Sequence, residues 1–214
     1  MNQYLVFSIG FLAQSLFSAR QISQWIVSEK AGRILSPLFF WQLSILASFL
    51  LMVYGILRKD LVIILGQVVI YGVYIRNLHY HGFWVKLPLP VRIFTFVFPG
   101  LAIGWLLTGE TYNIHRLLAN KEISSSLMAW GIIGQGVFTF RFVYQWLYSE
   151  KRQQSILPIG FWIISIIGSS MVLSYAIFRK DPVLFVGQIF GAVVYSRNIL
   201  LGLRQRRSQQ RVSR

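Results

Sequence analysis

The chain has 214 residues, of which 55% are hydrophobic and only 13% charged, about half the charged share of soluble domains. That excludes a soluble globular protein, whose surface needs more polar cover. The net charge of +15 fits a membrane protein whose basic loops meet anionic lipid heads better than it fits a nucleic-acid partner, and the absence of cysteine excludes thiolate metal sites.

Apolar runs near twenty residues, enough at about 1.5 Å per residue to cross a hydrocarbon core of roughly 30 Å, predict seven transmembrane helices. They fall near 4–27, 37–57, 61–78, 91–108, 126–148, 158–178 and 182–203. The first begins without a basic leader and reads as a membrane helix, not a removable signal. Pro37 and Pro158 sit at helix starts, Pro99 predicts a kink in the fourth helix, and Arg58–Asp60 and Arg179–Asp181 are tight turns. The polar segment 110–125 is expected at the outer interface, through Ile114, Leu117 and Leu118. The basic tail 204–214 is expected to be disordered or to rest on lipid heads.

Residues 10–78 recur at 131–199, offset by 121 without a gap, with 27 of 69 pairs identical. A repeat of this kind sets the architecture. The expected fold is all-α and integral to the membrane: two parallel three-helix bundles joined by a linking helix (3+1+3). The segments are a first repeat at 4–79, a link at 88–109, a second repeat at 126–203 and a basic cytoplasmic tail at 204–214. With the N-terminus outside and the C-terminus in the cytoplasm, inside loops and tail hold 11 basic residues and outside loops 6, which supports that orientation. Parallel repeats place a ligand site at their interface.

The identical positions are polar as well as apolar. On the first helix, Gln14, Arg20 and Gln24 share one face, and Gln135, Arg141 and Gln145 repeat it on the fifth. Such a stripe is costly against lipid and should face protein or a wet cavity. Trp41 with Ser44 and Ser48, and Trp162 with Ser165 and Ser169, form a second stripe. Asn77 and Asn198 end the third and seventh helices, beside Arg76 and Arg197. Arginine forks bind phosphate in two-pronged fashion, so Arg20, Arg141, Arg76 and Arg197 are candidate anion ligands. The alternative is a clamp in which Glu29 pairs with Arg20 or Arg76 inside one bundle, and Glu150 likewise in the other. Trp41 and Trp162 either stack on a sugar ring or belong to an interfacial aromatic belt. Gln67 and Gln188, with Gly66 and Gly187, read as packing features. No nucleophile elbow, phosphate loop or close acidic pair is present. The expectation is therefore a non-enzyme without cofactor or metal.

The pattern GxxxQxxFxxRxxxQWxxSEK, PxxFWxxS, RKD, GQ, YxRN occurs in both repeats. It resembles the lipid-A-disaccharide synthase N-terminal domain family, which is related to the SemiSWEET, SWEET and PQ-loop three-helix-bundle group. No Pro-Gln dipeptide occurs here. The resemblance implies a role beside glycolipid assembly in a bacterial inner membrane, without the family's fused glycosyltransferase part. The combined expectation is a transporter that binds and translocates an anionic glycolipid, such as a polyprenyl-phosphate sugar or lipid A precursor. Arg20 and Arg141 would hold the phosphate. Gln14, Gln24, Gln135, Gln145, Asn77 and Asn198 would bond sugar hydroxyls, and Trp41 and Trp162 would stack on the ring. The alternatives are a SWEET-like porter of soluble sugars and a membrane anchor for a glycosyltransferase.

Overall fold

A computed structural model describes residues 3–58, 60–108 and 124–212. They form seven α-helices: α1 Gln3–Ala31, α2 Leu38–Leu57, α3 Leu61–Tyr80, α4 Leu89–Thr108, α5 Ser125–Arg152, α6 Ile159–Arg179 and α7 Pro182–Val212. A 3-10 turn, Trp84–Lys86, joins α3 to α4. There is no strand among the described residues. Most of the expected segment 110–125 lies outside them.

Local chemistry explains the ends. Ser124 caps α5 by accepting the Leu127 N–H, which satisfies one of the free donors of the first turn. Both α1 and α5 end on a residue in the left-handed region, Gly32 at φ 64° and Gln153 at φ 51°. These are equivalent positions of the repeat. Only the first half uses glycine, the residue that adopts this φ without strain; in the second, Gln153 donates through Nε2 to the Glu150 carbonyl.

Two sequence expectations change at helix ends. The tail does not stop at Leu203: α7 continues to Val212. The segment has no glycine or proline and is rich in arginine and glutamine, which favour helix. It is tied down where the Ile34 N–H donates to Gln205 Oε1. The Ser-Glu-Lys triplets are the last turns of α1 and α5, not loops.

Helix neighbours run α1–α2–α3–α5–α6–α7 and back to α1. Pairings along α1 and α7 advance together: Gly187 packs on Gln14, then Gln21 meets Tyr195 and Gln24 meets Asn198. The two helices are therefore parallel. So are α3 and α5, where Gly66 packs on Gln135 and Asn77 on Gln145. Both main apolar clusters draw on both halves. One holds Phe17, Leu51, Tyr54, Tyr175 and Leu184. The other holds Phe40, Trp41, Tyr74, Phe142, Trp162 and Tyr195. Outside this ring, α4 packs on α3 and stacks Phe94 and Phe98 on Phe49 of α2.

Among the described residues five helices are long and apolar enough to cross a membrane: α1, α2, α5, α6 and the Pro182–Gln205 part of α7. In α4 the apolar run is Leu89–Gly104, which is shorter. The outer faces carry large apolar side chains such as Phe96, Phe178 and Val193, a continuous surface that water does not tolerate and lipid does. The chain is a helical membrane protein.

Candidate functional site

Between the two apolar clusters lies a cavity of about 50 Å³, lined from both halves. Arg20 and Arg141 are its charged walls, and each is only 4% exposed. Arg20 donates through Nη1 to Ser44 Oγ at 2.6 Å and to the Tyr74 hydroxyl at 3.2 Å. Its guanidinium lies 4.5 Å from the Phe17 ring and 4.9 Å from Phe40. The Arg141 guanidinium lies 3.2 Å from the Phe138 ring centre and 4.7 Å from Phe142. Ser165, the equivalent of Ser44, donates to the Phe161 carbonyl as Ser44 does to the Phe40 carbonyl, but unlike Ser44 it accepts nothing from its arginine among the described residues.

These aromatic faces are attractive to cations but do not neutralise them. Among the described residues neither arginine pairs with a carboxylate. Among the described acids, Glu29 pairs with Arg197, Glu150 with Arg76, and Asp181 with Arg58, while Asp60 accepts from the Tyr175 hydroxyl. Buried polar atoms without a partner remain around the cavity: Arg20 Nε, Arg141 Nη1, Gln21 Oε1 and Gln188 Oε1. Such atoms cost free energy unless something fills their valence. Two donors from cations and two amide acceptors suit a phosphate carrying hydroxyl groups.

The cavity is closed at both ends by contacts that cross between the halves. At the α1 N-terminal end, Tyr54 donates to Asp181 Oδ2 at 3.0 Å and Tyr175 donates to Asp60 Oδ2 at 2.9 Å. Burial pushes the Asp60 carboxyl above the usual carboxylate range, against the Tyr175 hydroxyl, the Ile63 N–H and Arg179, which favour its charge. At the other end, Asn77 and Gln145 exchange amide hydrogen bonds at 3.1 and 3.0 Å. Gln24 Nε2 donates to Asn198 Oδ1 at 3.0 Å. Beyond them Arg76 forks onto Glu150 at 3.0 and 2.6 Å, where Tyr80 also donates, and Arg197 meets Glu29.

The residues singled out in the sequence thus separate into two groups. Arg20, Arg141, Gln14 and Gln135 line the cavity. Gln24, Gln145, Asn77 and Asn198 are fully buried in the amide layer at its end. Arg76 and Arg197 lie further out, in ion pairs. The clamp that keeps each glutamate inside its own bundle is corrected: both pairs join opposite halves, because the parallel contact of α3 with α5 and of α7 with α1 sets the arginines opposite the other repeat's glutamates. Trp41 and Trp162 do not line the cavity. They are 0% and 1% exposed within the aromatic cluster. Trp41 donates to Ser36 and Ser155, whereas the Trp162 indole N–H has no partner. In the repeat, Leu157 stands for Ser36 and Ile34 for Ser155.

Sequence reasoning passed over Gln21 and Thr139 in the cavity wall and the buried Tyr54 and Tyr175 beside it, and read Asp60 and Asp181 only as turn residues. Except for Gln21 and Thr139, all recur in both halves, so the repeat itself carried the signal.

A family model described as Lipid A Biosynthesis N-terminal domain matches the chain twice, over residues 9–79 and 130–200. The lipid-A-disaccharide synthase of Chlamydia pneumoniae is 28% identical over 188 residues, covering 84% of this chain and 30% of the synthase. That of Chlamydia felis is 27% identical over 209 residues, 92% and 33% respectively. That of Chlamydia abortus is 30% identical over 194 residues, 84% and 30%. The chain spans about a third of the length of these curated relatives. No solved structure matches it.

Proposed function

The chain belongs to the Lipid A Biosynthesis N-terminal domain family, and from that premise we propose that it binds an anionic glycolipid between its halves and carries it across the inner membrane. The ligand class is a polyprenyl-phosphate sugar or a lipid A precursor. In this reading all seven helices span the bilayer in a 3+1+3 arrangement, with the N-terminus outside. α3 starts at Leu61, soon after α2 ends at Leu57, and packs back along it, so α3 crosses wherever α2 does, and α4 links the bundles. We assign disaccharide synthesis to the part of the synthases that this chain does not cover. The described cavity wall contains no carboxylate or imidazole, the groups that general acid–base chemistry most often uses.

One observation carries the reading: two buried arginines face one cavity without a carboxylate partner among the described residues. An unpaired cation in a protein or membrane interior costs several kcal/mol. A phosphate brings the missing charge and accepts from both forks; a neutral sugar does not. A cavity of about 50 Å³ holds a few waters and falls well short of the roughly 300 Å³ of ordinary ligand pockets. Binding therefore requires the halves to part, and the crossing contacts at the two ends are the bonds that would open in turn.

The test is translocation of a fluorescent polyprenyl-phosphate sugar by the purified protein in liposomes. The wild type should move it, and Arg20→Ala or Arg141→Ala should abolish the movement while the protein stays folded. Unchanged transport in both variants would remove the phosphate role.

A further inference from the structure

On its outer side, the contact between α3 and α5 opens into a second cavity of about 250 Å³. Leu65, Gly66 and Val69 form one wall, and Ile132, Gly136 and Phe140 much of the other. Val69 and Phe140 are more than half exposed. The groove is apolar except for Gln135 and Thr139, and these two residues also line the central cavity. Gln135 Nε2 donates to Thr139 Oγ1 at 3.3 Å. The Gln135 side chain lies where a Cβ of Gly66 would be. One glutamine side chain over one glycine is thus the partition between an outward apolar groove and the two arginines.

The equivalent contact between α1 and α7 is built differently. Where this groove has Val69, Ile132 and Gly136, the repeat places Phe190, Phe11 and Ser15. It also places the smaller Ala19 and Val186 where the groove has Phe140 and Leu65. Both ends of the central cavity are latched by hydrogen bonds or ion pairs across the halves, whereas at this level Gln135 packs on Gly66 of α3 and bonds within its own helix, to Thr139.

We propose that the α3–α5 seam is a lateral entrance. The phosphate head of a lipid passes Gln135 to reach Arg20 and Arg141, while the first part of its hydrocarbon chain remains in the groove. This rests on the anion-site reading and adds to it that the ligand is recognised by its chain as well as its head. An aliphatic chain suits a groove with this wall, since burying apolar surface is favourable and needs no hydrogen-bonding partner.

The probe is hexadecyl phosphate carrying a photoreactive diazirine early in its chain, applied to the full chain in nanodiscs. Crosslinks should map to residues 65–69 and 132–143 and be displaced by excess unlabelled hexadecyl phosphate. Gly136→Trp fills the groove from a position where a Cβ meets nothing within 4 Å, and it should cut these crosslinks about tenfold, the effect of roughly two fewer buried methylenes. Val69→Phe, on the opposite wall, should act in the same direction. Binding of butyl phosphate, a head with almost no chain, should survive both filling variants and be lost in Arg20→Gln/Arg141→Gln. Crosslinks spread around the lipid-facing helices, or indifferent to both filling variants, overturn the entrance; if butyl phosphate binding still needs the arginines, the anion site stands without it. Groove labelling that persists without either arginine overturns the proposal from the other side, as it would mark a seat for ordinary lipid. Butyl phosphate binding that ignores the arginines defeats the anion site itself.

Discussion

Two pairs of repeated arginines lie in the same molecule under opposite conditions. Arg76, near the end of α3, and Arg197, at the equivalent position midway along α7, each face a glutamate of the other half and keep contact with water. Arg20 and Arg141, deep in α1 and α5, are almost wholly enclosed and face aromatic rings, hydroxyls and each other's cavity. The outer pairs are complete as they stand. The inner ones carry charge with no carboxylate among the described residues to answer it. The repeat preserves both pairs equally, so identity alone does not separate a fastener from a binding group. Depth and partners do.

The largest effect expected is on the inner pair. Arg20→Gln/Arg141→Gln should weaken hexadecyl phosphate binding about a thousandfold, since each charge-assisted contact contributes about 1.5–3 kcal/mol. Arg76→Gln should leave that affinity within about twofold, as a residue outside the cavity does little to binding at a distance; equal losses from inner and outer variants would erase the distinction. Next comes the amide layer on which the outer pairs rest. Asn77→Ala strips partners from buried Gln145 and half-buried Ser155 and should cost about 3 kcal/mol in reversible unfolding. A third effect has the opposite sign. Arg141→Met, which removes a buried cation with no hydrogen-bond or carboxylate partner among the described residues, should raise the stability of the ligand-free protein by about 2 kcal/mol. A fall in stability would mean that Arg141 is structural. The smallest effect is at the outer pair itself. Exchanging the charges, Arg76→Glu with Glu150→Arg, should restore most of the melting temperature lost by Arg76→Glu alone, and the recovery should shrink as salt rises.

Helix number, the repeat and its polar stripes were legible in the sequence because each depends on local periodicity. Blocks near twenty apolar residues mark helices in lipid, and a stripe of Gln14, Arg20 and Gln24 on one face must turn away from lipid. The helix ends were less legible. The last turns of α1 and α5, and α7 beyond Leu203, run on through charged residues, which hydropathy reads as loop although they are good helix formers.

The partner of each polar residue was not legible at all. Glu29 is nine residues from Arg20 and 168 from Arg197, yet the distant arginine is its partner. Sequence distance measures contact only within a helix, and here the pairs form where parallel helices of opposite halves meet. Trp41 and Trp162 had the composition of a sugar platform, but their place in the aromatic cluster was decided by packing. What the sequence by itself determined is a duplicated set of apolar helices, each with one polar face that must be hidden. Only the tertiary structure decided that Asn77, Gln145, Arg76 and Glu150 use up their valence on one another, while Arg20 and Arg141 do not. Hydrogen-bond and charge satisfaction is a property of neighbours in space, and the helix ring, not the order of the chain, chooses those neighbours.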